Sequence, residues 1–209
     1  MHYTIRSLLI FFLSFIPLVQ VHADSDEKPI ELGFYLGATN PFPGSDTARV
    51  LNSSLGIGMF GRVQWPFTLY TEVGGGFSSY LSGTERRLTT VPVYGALGYK
   101  LPYELPVSIF LKAGGGAAYV VARPANTARW DPLAVLGTEF SFVAGKKVRI
   151  GLRMDYHRIF ETIGTDIPTE AKRFYLSPYD RDYRLPNPNN YKLRDGEFFY
   201  FSLMLTFLL

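Results

Sequence analysis

The sequence predicts an all-β fold: one antiparallel, up-and-down barrel of eight transmembrane strands. Three observations predict it. Bulky apolar residues alternate with small or polar ones along most of the chain, the period-two pattern of strands with one face in an apolar medium. Beyond the N-terminus no apolar run approaches the roughly 18 residues that a membrane helix requires. The connections alternate between tight turns and longer loops, the asymmetry of barrels that cross a membrane.

The first 23 residues stand apart. "MHYTIRS" carries one Arg and no acid, "LLIFFLSFIPLV" is a short apolar run, and "VHA" puts small residues where a signal peptidase reads. This is the pattern of a cleaved secretory signal, residues 1–23, cut after Ala23. An uncleaved anchor is the rival, but the run is short for a span and "DSDEK" follows at once. Removal leaves 209 − 23 = 186 residues (24–209), lowers the net charge from +3 to +2 by the loss of Arg6, and leaves His157 as the one histidine. So small a charge argues against a nucleic-acid partner, which needs a clustered basic face. With no cysteine, the chain has no disulfide, thiolate metal site or lipidated thiol. Charged residues are 19% of the chain, below the about 25% of an average soluble domain.

Strands are expected at about 30–39, 47–61, 65–80, 87–101, 106–121, 130–143, 147–161 and 196–209. The first puts Ile30, Leu32, Phe34 and Leu36 on one face. The third, "FTLYTEVGGGFSSY", opposes Phe67, Leu69, Val73 and Phe77 to Thr68, Tyr70, Glu72, Gly74 and Gly76. The seventh sets Val148, Ile150, Leu152, Met154 and Tyr156 against Arg149, Gly151, Arg153, Asp155 and His157. The eighth closes the barrel against the first with Phe199, Phe201, Leu203, Leu205 and Phe207 in lipid. "GRVQ", "PYEL" and "GKK" read as tight turns, while the connections around 40–46, 81–86, 122–129 and, longest, 162–195 read as loops. An even strand count returns both termini to the short-turn side.

Aromatic residues collect at the strand ends. Trp65, Phe67, Tyr99 and Tyr103 fall beside the short turns, and Tyr80, Tyr119, Trp130, Phe160 and Phe198 beside the loops, a pair of interfacial girdles. "TEVGGGFSSY" and "LKAGGGAAYV" carry glycine triplets in mid-strand, expected to relieve crowding inside a narrow barrel. No helix follows either triplet, so neither reads as a phosphate cradle.

With the strand–turn–strand unit "PVYGALGYKLPYELPVSIFLKAGGGAAYV" and the apolar last strand "GEFFYFSLMLTFLL", the mature chain resembles the small eight-stranded outer-membrane proteins of the OmpA, OmpX and OmpW type. The resemblance implies residence in the cell outer membrane, contact with outer-membrane lipid and lipopolysaccharide, and assembly by the barrel-assembly machinery. Many members end on an aromatic residue; this chain ends Phe207, Leu208, Leu209.

By the alternation, Glu31, Glu72, Lys100, Lys112, Glu139, Arg149, Arg153, Asp155 and His157 point into the barrel. An eight-stranded interior is just wide enough to be filled by side chains. These charges must therefore pair, with Glu72–Lys100 and Glu139–Arg153 the neighbours on adjacent strands. Such a network is a plug or, as the OmpA-type resemblance allows, a gate. No catalytic residue, cofactor or metal is expected. Lipid A-trimming deacylases of the same shape pair a His with a Ser two residues on, but Ile159 holds that place after His157. Asp155, His157 and Glu161 make a weak metal set.

The loop 162–195 carries Arg173, Tyr175, Tyr179, Arg181, Tyr183, Arg184 and Tyr191, residue types favoured at binding hot spots. Three roles follow: surface interaction through this loop with an extracellular protein or small-molecule ligand; a narrow, OmpW-like channel for small or apolar solutes; or a water-soluble, lipocalin-like barrel, apolar inside and polar outside. The girdles and the uneven connections favour the membrane.

Overall fold

In a computed structural model, residues 30–45, 47–48, 51–82, 87–102, 106–123, 127–160 and 195–209 are described. Eight strands follow one another around a closed antiparallel barrel: β1 (Ile30–Pro41), β2 (Ser54–Gln64), β3 (Leu69–Leu81), β4 (Arg87–Lys100), β5 (Ser108–Arg123), β6 (Thr127–Gly145), β7 (Val148–Phe160) and β8 (Asp195–Leu208). β8 pairs with β1 from Glu31↔Leu208 to Pro41↔Phe198, so no sheet edge is left open to lipid.

The register fixes the barrel's shape. One row of paired residues runs Arg158, Ala134, Gly115, Gly95, Val73, Gly61, Leu32, Phe207, Val148. It leaves β7 at Arg158 and returns to β7 at Val148, so the shear number is 158 − 148 = 10. Eight strands at the usual rise and spacing then tilt by about 41° and enclose a radius of about 8 Å. Nothing wider than side chains fits inside.

The two faces differ as the alternation requires. Outward are Phe34, Leu36, Val73, Leu97, Leu136, Phe201 and Leu203, with Leu97 and Leu203 69% and 66% exposed. Inward are Glu31, Arg62, Glu72, Glu139, Arg149 and Arg153, all buried. Apolar outside and charged inside is the inverse of a lipocalin, and that reading is set aside. Among the described residues no helix is long and apolar enough to span a membrane.

Glycines make room for the rings within. A Cβ on Gly33 would strike Phe60, one on Gly74 Tyr94, and one on Gly98 Tyr70; Gly58 and Gly76 both lie against Tyr35. The interior therefore packs large against small across neighbouring strands.

Three local expectations are corrected. β2 starts at Ser54, not 47: ahead of it Leu51 N–H donates to Thr47 C=O at 2.9 Å in a helical turn. "GRVQ" is strand, pairing with Glu31 and with Val73, Glu72, Thr71 and Tyr70; the turn is the 3-10 segment Pro66–Thr68. Phe67 thus leaves the strand face assigned to it. It sits at φ 74°, followed by Thr68 at φ 64°, and is 81% exposed. Finally, Tyr80 and Phe198 are not girdle residues: both are fully buried in the lumen with rings 4.5 Å apart. Trp65, Trp130 and Phe160 do face outward, with Tyr119 packed on Trp130 at 5.3 Å. Tyr103 lies outside the described residues.

Candidate functional site

The lumen is built around Arg62. Extending β2 through Gln64 keeps the alternation running, so Phe60 and Arg62 point inward and Met59, Gly61 and Val63 outward. The Arg62 guanidinium crosses the barrel. Nη2 donates to Glu72 Oε2 at 2.9 Å and to Glu139 Oε2 at 2.5 Å, and Nη1 to Glu31 Oε2 at 3.2 Å and Glu139 Oε1 at 3.3 Å. Three carboxylates from three strands thus converge on one planar fork, a geometry that lysine could not serve.

Glu72 is the second hub. It also accepts from Lys112 Nζ at 2.9 Å, Arg153 Nη2 at 2.6 Å and the Tyr94 hydroxyl at 3.1 Å. Asp155 Oδ2 takes Lys112 Nζ at 2.9 Å and Arg153 Nε at 2.8 Å. Toward the short-turn end Glu31 Oε1 accepts from Arg149 Nη1 and Gln64 Nε2, both at 2.5 Å. Four cations (Arg62, Lys112, Arg149, Arg153) face four carboxylates (Glu31, Glu72, Glu139, Asp155), a net charge of zero. Charges removed from water are tolerable only in such company.

Aromatic rings wrap the cations. The Arg62 guanidinium carbon lies 4.5 Å from the Tyr70 ring centroid, 4.6 Å from Phe110 and 5.0 Å from Phe60. That of Arg153 lies 4.5 Å from Phe60 and 4.8 Å from Tyr35. The negative ring faces add attraction where water is excluded. Tyr35 and Tyr70 hold their own hydroxyls on the Gly75 and Leu111 carbonyls, at 3.2 and 3.1 Å.

The loop-side half of the lumen is different in kind. Leu51, Leu88, Val120, Leu133, Val135, Ile159 and Phe198 form a buried apolar layer with Tyr80, Tyr94 and Tyr200. Within it, the Tyr80 hydroxyl lies 2.5 Å from Thr39 Oγ1 and donates to the Tyr200 hydroxyl at 3.3 Å. His157 stands at the boundary between layers, its ring 4.4 Å from that of Tyr200 and 5.9 Å from Tyr94. Beyond it Asp131 is held by Arg129 Nε at 3.0 Å.

The structure brings Glu72, Lys112, Glu139, Arg149, Arg153, Asp155 and Glu31 together, with His157 beside them. Two expected pairs are not made. Glu139 faces Arg153 in the register, yet Glu139 turns to Arg62 across the lumen while Arg153 takes Glu72 and Asp155. Lys100 is half-buried at the end of β4; Glu72 pairs with Ala96, four residues further up, so Lys100 is out of its reach. "GRVQ" resembles a turn, which hides Arg62 in the sequence; the unbroken alternation of Phe60, Arg62 and Gln64 is the signal that finds it. Among the described residues no group of three His, Cys, Asp or Glu side chains is placed to hold a metal. Glu161 and the loop candidates Arg173, Tyr175, Tyr179, Arg181, Tyr183, Arg184 and Tyr191 lie outside the described residues.

No family model matches the sequence, and no curated protein is similar to it. Among solved structures the chain is similar to Neisserial surface protein A, at 9% identity and a TM-score of 0.57, over 86% of this chain and 96% of that one. The N-terminal β-barrel domain of Pseudomonas aeruginosa OprF follows at 10% identity and a TM-score of 0.47, covering 87% and 97%. Ail, the attachment invasion locus protein of Yersinia pestis, matches at 10% identity and a TM-score of 0.46, over the same shares. At such identities the likeness is one of fold: a closed, eight-stranded barrel of the outer-membrane kind.

Proposed function

We propose that this chain is an integral protein of the outer membrane, exported by residues 1–23, whose barrel is sealed and whose work is done outside, through the loop 162–195. The charge-neutral network centred on Arg62 carries the reading. Its eight charges are each matched within the lumen, wrapped by rings, and roofed by the apolar layer from Leu88 to Phe198. A solute would have to break several buried ion pairs and part that layer to cross. The apolar outer face fits lipid, with lipopolysaccharide around the loop end and the barrel-assembly machinery as the route in. We read the protein as a surface interaction protein rather than an enzyme: His157 is enclosed by rings inside the lumen, away from any lipid surface.

The loop reading is tested by replacing residues 162–194 with a short Gly/Ser turn and screening both proteins against extracellular-matrix proteins and glycans. The expected result is an equally stable barrel that has lost a ligand bound by the complete chain. A shortened barrel that still binds that ligand refutes the assignment.

One observation favours the narrow-channel alternative. Arg153 Nη1, Asp155 Oδ1 and His157 Nε2 are buried without a hydrogen-bond partner among the described residues, and buried polar groups of this kind are commonly satisfied by water.

A further inference from the structure

Arg149 is the least satisfied of the four cations in the network. Arg62 pairs with three carboxylates, and Lys112 and Arg153 with two each. Among the described residues Arg149 pairs with Glu31 alone, through Nη1 at 2.5 Å. Glu31 is itself divided, since its other oxygen is held by Arg62 at 3.2 Å. Arg149 Nε is buried and has no hydrogen-bond partner, and neither has Thr206 Oγ1. The two residues are register partners on β7 and β8, both inward and both buried, so their unmet groups share one corner of the lumen.

The register explains why no side chain meets them. On the β6 flank Arg149 faces Val143, which offers no acceptor, at the point where the register shifts between Val143 and Gly145. On the β1 flank Thr206 faces Gly33, and the Phe60 ring takes the space that a side chain would fill there. Buried polar groups left in this way call for a water or an ion. The corner lies at the short-turn mouth, because Arg149 is the second residue of β7. Lys146 and Lys147 form the turn just ahead of it, and both are exposed. The eight charges of the network cancel, so these lysines add a positive field at that mouth.

We propose that this corner binds a small inorganic anion of chloride size, held by Arg149 Nε–H and the Thr206 hydroxyl and drawn in past Lys147. A water seated there would have to place its own two hydrogens. Val143, Gly33 and Phe60 offer them no side-chain acceptor, and Glu31 already accepts from Arg62, Arg149 and Gln64. An anion has no hydrogen to place, and hydrogen bonds to it from a guanidinium are the strong, charge-assisted kind. Arg149 is 2% exposed and Thr206 not at all, which favours a monatomic ion over a larger oxyanion. The site is separate from the loop reading and lies at the opposite end of the barrel.

The test uses the full mature chain refolded in detergent micelles. Unfolding midpoints are measured in rising sodium chloride or bromide, with sodium gluconate at equal ionic strength as the anion too large to enter. Both halides should raise the midpoint saturably and gluconate should not. Thr206→Val keeps the shape but loses the hydroxyl, and should weaken the apparent halide affinity about tenfold, the loss of one hydrogen bond to a charged partner. Arg149→Lys, which keeps the charge and removes Nε, should do the same. Lys147→Gln, on the exposed turn, should weaken it about threefold, as fits an exposed charge. Crystals soaked in bromide should show an anomalous peak beside Arg149 Nε. Equal midpoints in chloride and gluconate overturn the proposal, as does a water in that place with no bromide, or a Thr206→Val chain that titrates like its parent. A barrel that fails to enter lipid vesicles overturns the membrane reading instead, because the titration in micelles does not depend on it.

Discussion

Replacing Arg62 with methionine removes the centre of the network while keeping most of the side chain's length. Glu72 would keep Lys112 at 2.9 Å and Arg153 at 2.6 Å, and Glu31 would keep Arg149 and Gln64 at 2.5 Å. Glu139 is the group left exposed to the loss: beyond Arg62 its partner is the Ser141 hydroxyl at 3.3 Å. Breaking a buried pair from one side typically costs about 3–5 kcal/mol, because a charge is left desolvated. Methionine sulfur would rest acceptably against Phe60, Tyr70 and Phe110, so the loss should fall near the lower figure, about 3 kcal/mol. The paired variant Arg62→Met/Glu139→Gln restores neutrality at three cations to three carboxylates and should recover more than half of that loss. The assay is urea unfolding in lipid vesicles, followed by Trp65 and Trp130 fluorescence and read as a double-mutant cycle. A loss under about 1 kcal/mol for Arg62→Met, or no recovery in the pair, would refute the claim that the buried charges of the lumen form a mutually dependent network.

Two further outcomes follow from the faces and the turn. Leu203→Arg puts a charge in mid-belt, 66% exposed to lipid in the parent, and should cost about 2–4 kcal/mol and lower the amount assembled in membranes; normal assembly would show that the belt does not face lipid. Exchanging Phe67-Thr68 for Asn-Gly replaces two left-handed residues of ordinary type by the pair that hairpin turns prefer, and should raise stability in detergent micelles by about 1 kcal/mol, measured by unfolding midpoint.

Strand number, faces and most interior residues were legible because a period of two leaves little freedom: once Leu203 faces lipid, Tyr200 and Ser202 do not. Glu72, Lys112, Arg149, Arg153, Asp155 and His157 all follow from it. The partners were not legible. Arg62 reaches Glu139 across the lumen from β2 to β6, and which strands face each other at which height depends on the shear number, a property of the closed ring that no single strand encodes. The end of β2 was lost for a local reason, since Gly61 followed by polar residues reads as a turn although Gly61 is an outward strand residue. Nearness to a loop suggests girdle positions for Tyr80 and Phe198, but parity decides their face, and both are buried. Tyr80 lies three positions from outward Phe77 and so must point in.

Liposome swelling with the refolded mature chain, using solutes graded in size and polarity, tests the sealed lumen most directly. A sealed lumen predicts no swelling above empty liposomes for any solute, and none on exchange of Arg62 for alanine alone, because the apolar layer still closes the loop-side half. Passage of small solutes through the unaltered barrel would contradict it and make the Arg62 network a gate.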